Sequence, residues 1–210
     1  IRDTDRSRGL GDVYKRQSQY LSAQNFTDNV INVAMPSTYH FLEKVIDEIV
    51  RMYQDAGVEL TAFHVGGDEV PEGIWEGSSI CRTFMQENEL TNIRDLKDYF
   101  LEQILEMLDK RSIQAVGWQD IVMNPDNTVN EHFRNSKVLN YCWNTIPEQG
   151  GDEVPYKLAN AGYPIILCNV GNFYLDMAYC YHVEEPGLRW GGYVDEYLSL
   201  IHISEPTRPI

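Results

Sequence analysis

The sequence has few basic residues, no long hydrophobic run, no internal repeat and no low-complexity linker. Lysine and arginine together number 17 against 32 aspartates and glutamates in 210 residues, giving a net charge of −15. Such a surface repels nucleic acid and anionic membranes and suits a neutral or cationic ligand. No stretch is long and apolar enough to cross a bilayer. The composition therefore indicates a globular protein that binds neither nucleic acid nor a membrane core.

The cysteines form no pattern typical of a metal site. The four, Cys81, Cys142, Cys168 and Cys180, show neither CxxC spacing nor a combined cysteine and histidine motif. We expect them to be small buried hydrophobic residues, and a Cys142–Cys168 disulfide is conceivable only if their strands are neighbours. Nothing in the sequence calls for a metal ion or a cofactor.

The two ends of the chain are related to each other by codon complementarity. When residues 5–17 are paired antiparallel with residues 198–210, every pair can be encoded by reverse-complementary codons, and the match stops at Ser18 and Tyr197. Two segments of a natural protein have no physical reason to be related by the base-pairing rules of their codons. The two ends also resemble the two translated strands of a sequencing adapter. Residues 1–17 and 198–210 are therefore interpreted as non-native. The remaining residues 18–197 carry 11 basic and 28 acidic side chains.

Residues 18–197 alternate predicted helices with short apolar strands. A helix capped by Ser37 is expected to run until Gly57, and a short helix should begin near Ser79. The other predicted elements are strands at 60–65, 114–118, 137–143 and 164–169 and helices at about 92–111 and 154–161. Buried strands that alternate with helices are typical of a parallel sheet covered by helices, so one α/β domain is predicted.

Polar and aromatic residues follow the C-terminal end of each predicted strand. These groups are His64 to Glu69, Trp118 to Asp120, Trp143-Asn144 and Tyr174 to Asp176. Active sites of (β/α)8 barrels are built at this edge of the sheet. The sequence therefore predicts a functional site there.

The most informative motif is His64-Val65-Gly66-Gly67-Asp68-Glu69. Consecutive strand residues point to opposite faces, so the two acidic residues can share a site only where the backbone leaves strand geometry, which the two glycines permit. Two carboxylates in one cleft do not both ionise readily, so one would keep its proton and serve as a general acid. Taken alone, Gly-Gly-Asp-Glu is equally compatible with a solvated turn.

This motif, with Val70-Pro71 and Trp75 after it, resembles the signature of the family 20 β-N-acetylhexosaminidases. The resemblance covers residues 18–197 and includes Gly117-Trp118-Gln119-Asp120, Tyr141-Cys142-Trp143, Tyr174-Leu175-Asp176 and Pro186-Gly187-Leu188-Arg189-Trp190. It implies an incomplete (β/α)8 TIM-type barrel that retains approximately strands four to seven. Because a partial barrel leaves open sheet edges, the fragment alone is expected to be aggregation-prone and to have little or no activity.

The resemblance also implies a retaining, substrate-assisted mechanism that proceeds through an oxazolinium ion. Glu69 would be the acid/base, Asp68 would orient the 2-acetamido group, and Tyr174 would donate a hydrogen bond to its oxygen. The implied substrate is a glycan that ends in N-acetylglucosamine or N-acetylgalactosamine. For a bacterial parent, a secreted or periplasmic location is expected.

Other side chains would bind the sugar. The resemblance implies that Trp118, Trp143 and Trp190 wall the acetamido pocket and stack on the sugar ring. Asp176 would bind a sugar hydroxyl, and His64 would support the acidic pair from below.

Other interpretations stay open at this point. Tyr174 and each tryptophan could instead pack in a core, and Asp176 could form a structural ion pair. A metal-dependent barrel hydrolase would use His64, Asp68, Glu69 and Asp176, although such sites usually need several histidines. A non-catalytic carbohydrate-binding remnant is the third possibility.

Overall fold

The computed structural model describes residues 21–23, 25–27, 29–71, 73–124, 126–195 and 197. The interpretation of residues 1–17 and 198–210 as non-native lies outside these residues and stays a prediction. The chain divides between Ala115 and Val116 into two compact units.

The described part of the first unit contains three helices and one strand. Helix α1 spans Pro36–Asp55, strand β1 Ala62–His64, helix α2 Ser79–Glu87 and helix α3 Asp95–Asp109. The predicted Ser37 cap is wrong, because Met35 holds the cap position without a side-chain bond and Pro36 opens the first turn. Proline suits that position, where its fixed φ is already helical and no N–H partner is required.

Helix α2 is anchored at its N-terminus by a buried polar group. Ser78 Oγ accepts hydrogen bonds from the Cys81 N–H at 3.3 Å and from Asn32 Nδ2 at 3.2 Å. The surrounding core cluster is apolar; its buried members are Val33, Ala34, Ile74, Trp75, Cys81 and Leu96. The shared hydroxyl therefore satisfies the helix terminus and ties it to the segment that precedes α1.

The sequence pattern predicts that Leu96, Phe100, Ile104, Met107 and Leu108 form the inner face of helix α3, and four of these five side chains are buried. Its buried side chains are Leu96, Leu101, Ile104, Met107 and Leu108, while Phe100 is only partly buried against the same core. Burying each large apolar side chain stabilises the fold by roughly 1.5–3 kcal/mol relative to exposure. Packing of this face thus holds the helix in place.

Strand β2, Gln114–Trp118, leads into the second unit, and its bounds match the prediction. The later elements are β3 Leu139–Cys142, α4 Val154–Asn160, β4 Ile165–Leu167 and α5 Val170–Phe173, with 3-10 turns at Gln119–Ile121, Glu131–Ser136, Pro147–Gln149 and Gly151–Glu153. The strands form a sheet in the order β1-β2-β3-β4, and the pairings of β2 with β3 and of β3 with β4 are parallel. The predicted α/β alternation with a parallel sheet is confirmed.

Strands β1 and β4 are the edges of the described sheet. Ala62 and His64 are exposed in β1, and Ile166 and Leu167 are exposed in β4. The prediction that the first strand is buried is therefore wrong. A strand with a neighbour on one side only leaves its side chains and half of its backbone groups open.

All four cysteines are free thiols. Cys81 and Cys142 are buried as expected, whereas Cys168 is partly buried and Cys180 is exposed. Strands β3 and β4 are neighbours, but the register pairs Cys142 with Leu167, and adjacent strand residues project to opposite sides. Burial raises the pKa of the Cys142 thiol to about 12, which keeps it protonated and unreactive.

Among the described residues, no helix combines the length and the apolar composition that a membrane span requires.

Candidate active site

The loop that leaves strand β1 carries the two predicted carboxylates. The φ angles of Gly66 and Gly67 are +71° and +93°, and that of Glu69 is +48°. Glycine enters this left-handed region freely, whereas glutamate adopts it at a cost of roughly 1–2 kcal/mol. The predicted departure from strand geometry is therefore confirmed. Asp68 and Glu69 both lie exposed on this loop.

His64 is bonded to the loop that it precedes. Its Nδ1 accepts a hydrogen bond from the Gly66 N–H at 3.1 Å, so the neutral imidazole carries its proton on Nε2. Partial desolvation lowers the pKa of His64, and the negative charge of Asp68 opposes this shift. A neutral imidazole that accepts from the glycine backbone suits the support of the acidic loop that the sequence suggested.

Three predicted aromatic residues meet in the second unit. The ring centroids of Trp143 and Trp190 are 6.0 Å apart with planes at 70°, and those of Tyr174 and Trp190 are 5.8 Å apart at 75°. Both contacts have the edge-to-face geometry that aromatic quadrupoles favour. These three residues, Trp143, Tyr174 and Trp190, are here named the aromatic trio. Trp118 has a different partner and packs edge-on against Tyr141 at 6.1 Å.

The predicted aromatic residues are not sealed in a core. Trp190 is 45% exposed, and Trp118, Trp143 and Tyr174 are partly exposed. Their exposed ring surfaces can contact a ligand from solvent.

Two residues at the end of β2 fix Trp143. Asp120 Oδ2 accepts from the Trp143 indole Nε1 at 2.7 Å, and Gln119 Oε1 accepts from the Trp143 backbone N–H at 3.1 Å. The register of β2 with β3 pairs Trp118 with Tyr141, which brings the next residues of both strands together. Sequence analysis placed Gln119 and Asp120 at a strand end but assigned neither to the site, because the contact depends on this register.

A closed loop carries Trp190. The Leu188 N–H donates to the Asp176 carbonyl at 2.8 Å, the Ala178 N–H to the Leu188 carbonyl at 2.7 Å, and the Val194 N–H to the Ala178 carbonyl at 3.0 Å. We name residues 176–194 the Trp190 loop. Asp176 itself is exposed at the start of the loop, where its carboxylate can reach a ligand in solvent.

Glycines allow close packing at the base of the Trp190 loop. A Cβ atom added at Gly191 would lie 2.2 Å from Val170 Cγ2, and one added at Gly187 would lie 2.3 Å from the Ala178 nitrogen. Met177 and Val194 of the loop form a buried cluster with Val170, and Tyr174 packs against this cluster. The loop is therefore held by backbone bonds and by apolar contact at once.

In the part of the chain that the structure describes, no group of three or more His, Cys, Asp and Glu side chains is arranged to hold a metal ion.

Comparison with known proteins places the chain among glycosidases. The sequence matches the model "Glycosyl hydrolase family 20, catalytic domain" over residues 5–205. A β-hexosaminidase of Vibrio vulnificus is 32% identical over 175 residues, which is 82% of this chain and 20% of that protein. The N,N'-diacetylchitobiase of Vibrio harveyi is 27% identical over 201 residues, covering 82% of this chain and 22% of that protein.

A solved structure agrees with the sequence relatives. The crystal structure of a GH20 exo-β-N-acetylglucosaminidase from Vibrio harveyi, in complex with N-acetylglucosamine, matches with a TM-score of 0.72 at 26% identity. The match covers 92% of this chain and 28% of that chain. The present chain therefore spans about a fifth to three tenths of the length of the proteins it matches.

Proposed function

Because this chain belongs to glycosyl hydrolase family 20, we propose that the whole protein to which it corresponds removes terminal, non-reducing N-acetyl-β-hexosamine residues from glycans or chitooligosaccharides. The observation that carries the proposal is the loop at the end of β1, which leaves strand geometry at Gly66 and Gly67 and presents Asp68 and Glu69 to solvent. Strained backbone at a carboxylate is a feature of functional sites. The aromatic trio is a second support.

In the first proposed step, the substrate supplies the nucleophile. The 2-acetamido oxygen attacks the anomeric carbon, the glycosidic C–O bond breaks, and Glu69 transfers its proton to the departing oxygen. The sugar becomes a bicyclic oxazolinium ion. The Asp68 carboxylate accepts a hydrogen bond from the acetamido N–H and stabilises the positive charge that develops there, while the Tyr174 hydroxyl donates to the acetamido oxygen.

In the second step, water replaces the acetamido oxygen at the anomeric carbon. The Glu69 carboxylate takes a proton from this water, the oxazolinium ring opens, and the 2-acetamido group is restored. Each step inverts the anomeric centre, so the product retains the β configuration. The cycle returns Glu69 to its protonated form without any other reactant.

The aromatic residues bind the sugar in this proposal. Trp118, Trp143 and Trp190 present ring faces to the C–H faces of the sugar and exclude water, which strengthens the charge interactions around Asp68 and Glu69. Asp176 accepts a hydrogen bond from a sugar hydroxyl. The edge-to-face contacts of Trp190 with Trp143 and Tyr174 support this assignment.

We further propose that the four parallel strands are strands four to seven of an incomplete (β/α)8 barrel. The exposed residues of the edge strands β1 and β4 support this proposal, since a barrel that lacks half of its strands leaves two open edges.

The test is hydrolysis by the full-length protein, completed from its gene, with a Glu69→Gln variant and a matched control. Glu89→Gln is the control, because Glu89 is also exposed and has a φ of +56° beside the +48° of Glu69. Glu69→Gln should lower kcat on chitobiose by about 10²–10⁴-fold, the usual effect of removing a general acid. The loss on p-nitrophenyl N-acetyl-β-glucosaminide should be smaller in the first step, since p-nitrophenolate leaves without protonation.

Glu89→Gln should keep the wild-type kcat on both substrates. A folded full-length protein that hydrolyses neither would contradict the proposal and favour a non-catalytic carbohydrate-binding protein. Undiminished turnover by Glu69→Gln would refute the assignment of the acid/base.

A further inference from the structure

A cavity lies between the three helices of the first unit. Its volume is about 620 Å³, which is within the roughly 300–1,000 Å³ of small-molecule sites. Helix α1 contributes Tyr39 to its lining, α2 contributes Phe84 and Glu87, and α3 contributes Tyr99 and Gln103. The described carboxylates of the candidate active site, Asp68 and Glu69, are not part of this lining.

Three aromatic rings form adjoining walls of the cavity. The ring centroids of Tyr39 and Tyr99 are 5.8 Å apart with planes at 86°, and those of Phe84 and Tyr99 are 4.7 Å apart at 53°. The Tyr39 hydroxyl donates to the Val33 carbonyl, which holds the ring in place. We name Tyr39, Phe84 and Tyr99 the aromatic cage. Rings set at steep angles to one another enclose a ligand from several sides, as the aromatic cages that bind organic ammonium cations do.

The charge around the aromatic cage is negative. Glu87 is exposed at the last residue of α2, and the C-terminal end of a helix itself carries partial negative charge. No lysine or arginine occurs among the described residues that line the cavity. Burial and, next, the negative charge of Glu102 raise the pKa of Tyr99, so this phenol stays neutral. The cavity therefore offers π surfaces and a carboxylate to a cation and repels an anion.

Polar side chains beside the aromatic cage suit a ligand with hydroxyl groups. Ser79, Thr83 and Glu87 line the cavity and follow one another at intervals of four residues, so they share one face of α2. Gln103 lies four residues after Tyr99 on α3. Serine, threonine and glutamine side chains both donate and accept hydrogen bonds, as sugar hydroxyls do. A ligand that combines an ammonium group with hydroxyls would use all of these features.

We propose that this cavity is a second ligand site, which binds a protonated amino sugar, that is, a hexosamine whose 2-amino group carries no acetyl group. The ammonium group lies against the aromatic cage and pairs with Glu87, and the sugar hydroxyls bond to Ser79, Thr83 and Gln103. No covalent bond is made or broken there. The inference goes beyond the proposed hydrolysis, whose mechanism requires the 2-acetamido group that this ligand lacks.

The test is a calorimetric titration of the full-length protein with protonated glucosamine in an excess of N-acetylglucosamine. The excess fills the proposed hydrolytic site with a sugar of the same ring and no positive charge. Wild-type protein should still bind glucosamine. Glu87→Gln should weaken this binding about fivefold, the effect of one exposed ion pair. Because Glu87 is exposed, the replacement should leave the melting temperature nearly unchanged.

Glu89→Gln is the matched control, because Glu89 is exposed, lies two residues further along the chain and is not in the lining. It removes the same charge and should bind glucosamine as the wild-type protein does. Tyr99→Leu removes a ring and should weaken binding about threefold to fivefold, whereas Tyr99→Phe keeps the π surface and should stay near the wild-type affinity.

Three results would overturn the inference. The first is no binding of glucosamine by the wild-type protein under these conditions. The second is an equal affinity in wild type and Glu87→Gln, or an equal loss in Glu87→Gln and Glu89→Gln, which would assign the attraction to the general charge of the chain. The third is tetramethylammonium chloride binding as tightly as glucosamine, because the sugar hydroxyls would then contribute nothing.

Hydrolysis plays no part in this measurement, so the inference and the proposed function fail separately. A protein that hydrolyses no glycoside but binds glucosamine through Glu87 loses the proposed function and keeps the second site. A protein that hydrolyses N-acetyl-β-hexosaminides but binds no glucosamine keeps the proposed function and loses the second site.

Discussion

Trp143 is the site residue whose position depends most directly on other side chains. Its ring is bonded to Asp120 and its backbone to Gln119, so two consecutive residues fix both the direction of the chain and the plane of the indole. A hydrogen bond to a charged carboxylate is about twice as strong as one between neutral groups. Since Trp143 also contacts Trp190, Asp120 helps to hold the aromatic trio without belonging to it.

Replacing Asp120 should therefore weaken sugar binding. In the full-length protein, Asp120→Ala removes the acceptor of the indole N–H, and we expect kcat/KM on p-nitrophenyl N-acetyl-β-glucosaminide to fall about tenfold, in line with the roughly 1–3 kcal/mol of such a bond. The kcat/KM of Asp120→Asn should lie between the values of the wild-type protein and of Asp120→Ala, because an amide oxygen still accepts a hydrogen bond but carries no charge. Asp152→Ala, at an exposed carboxylate of the same unit, should stay near the wild-type value. An unchanged kcat/KM in Asp120→Ala would show that the bond does not position Trp143.

The Trp190 loop is the element in which packing and site geometry depend on the same residues. Gly191 lies against Val170, and any side chain at this position must displace the loop or the helix α5 that carries Val170. The neighbouring Gly192 has open space around it but a φ of +105°. These adjacent glycines are thus required for two different reasons, close approach in one case and backbone conformation in the other.

Gly191→Ala should destabilise the protein by about 1–3 kcal/mol, as overpacking does, and should reduce activity because Trp190 is the residue directly before Gly191. Removing the opposing methyl groups with Val170→Ala should restore part of both losses in the double variant. Gly192→Ala meets no atom within contact distance, so no such rescue is expected there. Thermal melts and kcat/KM of the four variants measure the coupling. Additive losses at Gly191 and Val170 would contradict the steric explanation.

The helices and strands that the sequence predicted best are those whose buried side chains follow from the residue pattern within the element itself. Helix α3 presents one apolar face over 15 residues, so its period identifies the inner side chains, and β2 is a short apolar run whose ends are both marked by polar residues. Burial of β1 could not be predicted in this way, because an apolar strand is covered only if the sheet continues on both sides. The Ser37 cap was wrong because Pro36 can itself open a helix.

In the candidate site, too, features set by the local sequence were predicted and features set by tertiary packing were not. The two glycines before Asp68 and Glu69 predicted the change of backbone direction. The resemblance implied that Trp118, Trp143 and Trp190 lie together; Trp143 and Trp190 are in contact, whereas Trp118 packs against Tyr141. Gln119 and Asp120 were not assigned to the site, because their bonds to Trp143 depend on which residues two parallel strands bring side by side. The pairing of β2 residues with β3 residues is set by tertiary packing, and the sequence of neither strand alone predicts it.

Among the described residues, the exposed edge strand β4 favours association with another chain, whereas the high net charge of the protein opposes it. Strand β4 leaves Ile166 and Leu167 exposed, the latter by 52%, and an apolar edge with unpaired backbone groups is a template for pairing with another chain. The net charge of −15 opposes such association. Salt screens charge repulsion, since the Debye length falls from about 30 Å at 0.01 M to about 3 Å at 1 M.

The 210-residue chain expressed alone should therefore hydrolyse no p-nitrophenyl N-acetyl-β-glucosaminide and should associate more strongly as salt is raised, which light scattering at low and high salt measures. Leu167→Lys places a charge on the β4 edge and should reduce association, because lysine on an edge strand opposes pairing. Tyr156→Lys is the control, since Tyr156 is exposed on helix α4 and away from strand pairing. A soluble monomer that melts cooperatively at both salt concentrations would contradict the prediction. The described four-stranded sheet would then be stable without strands from another chain, and a lack of activity would need an explanation other than association.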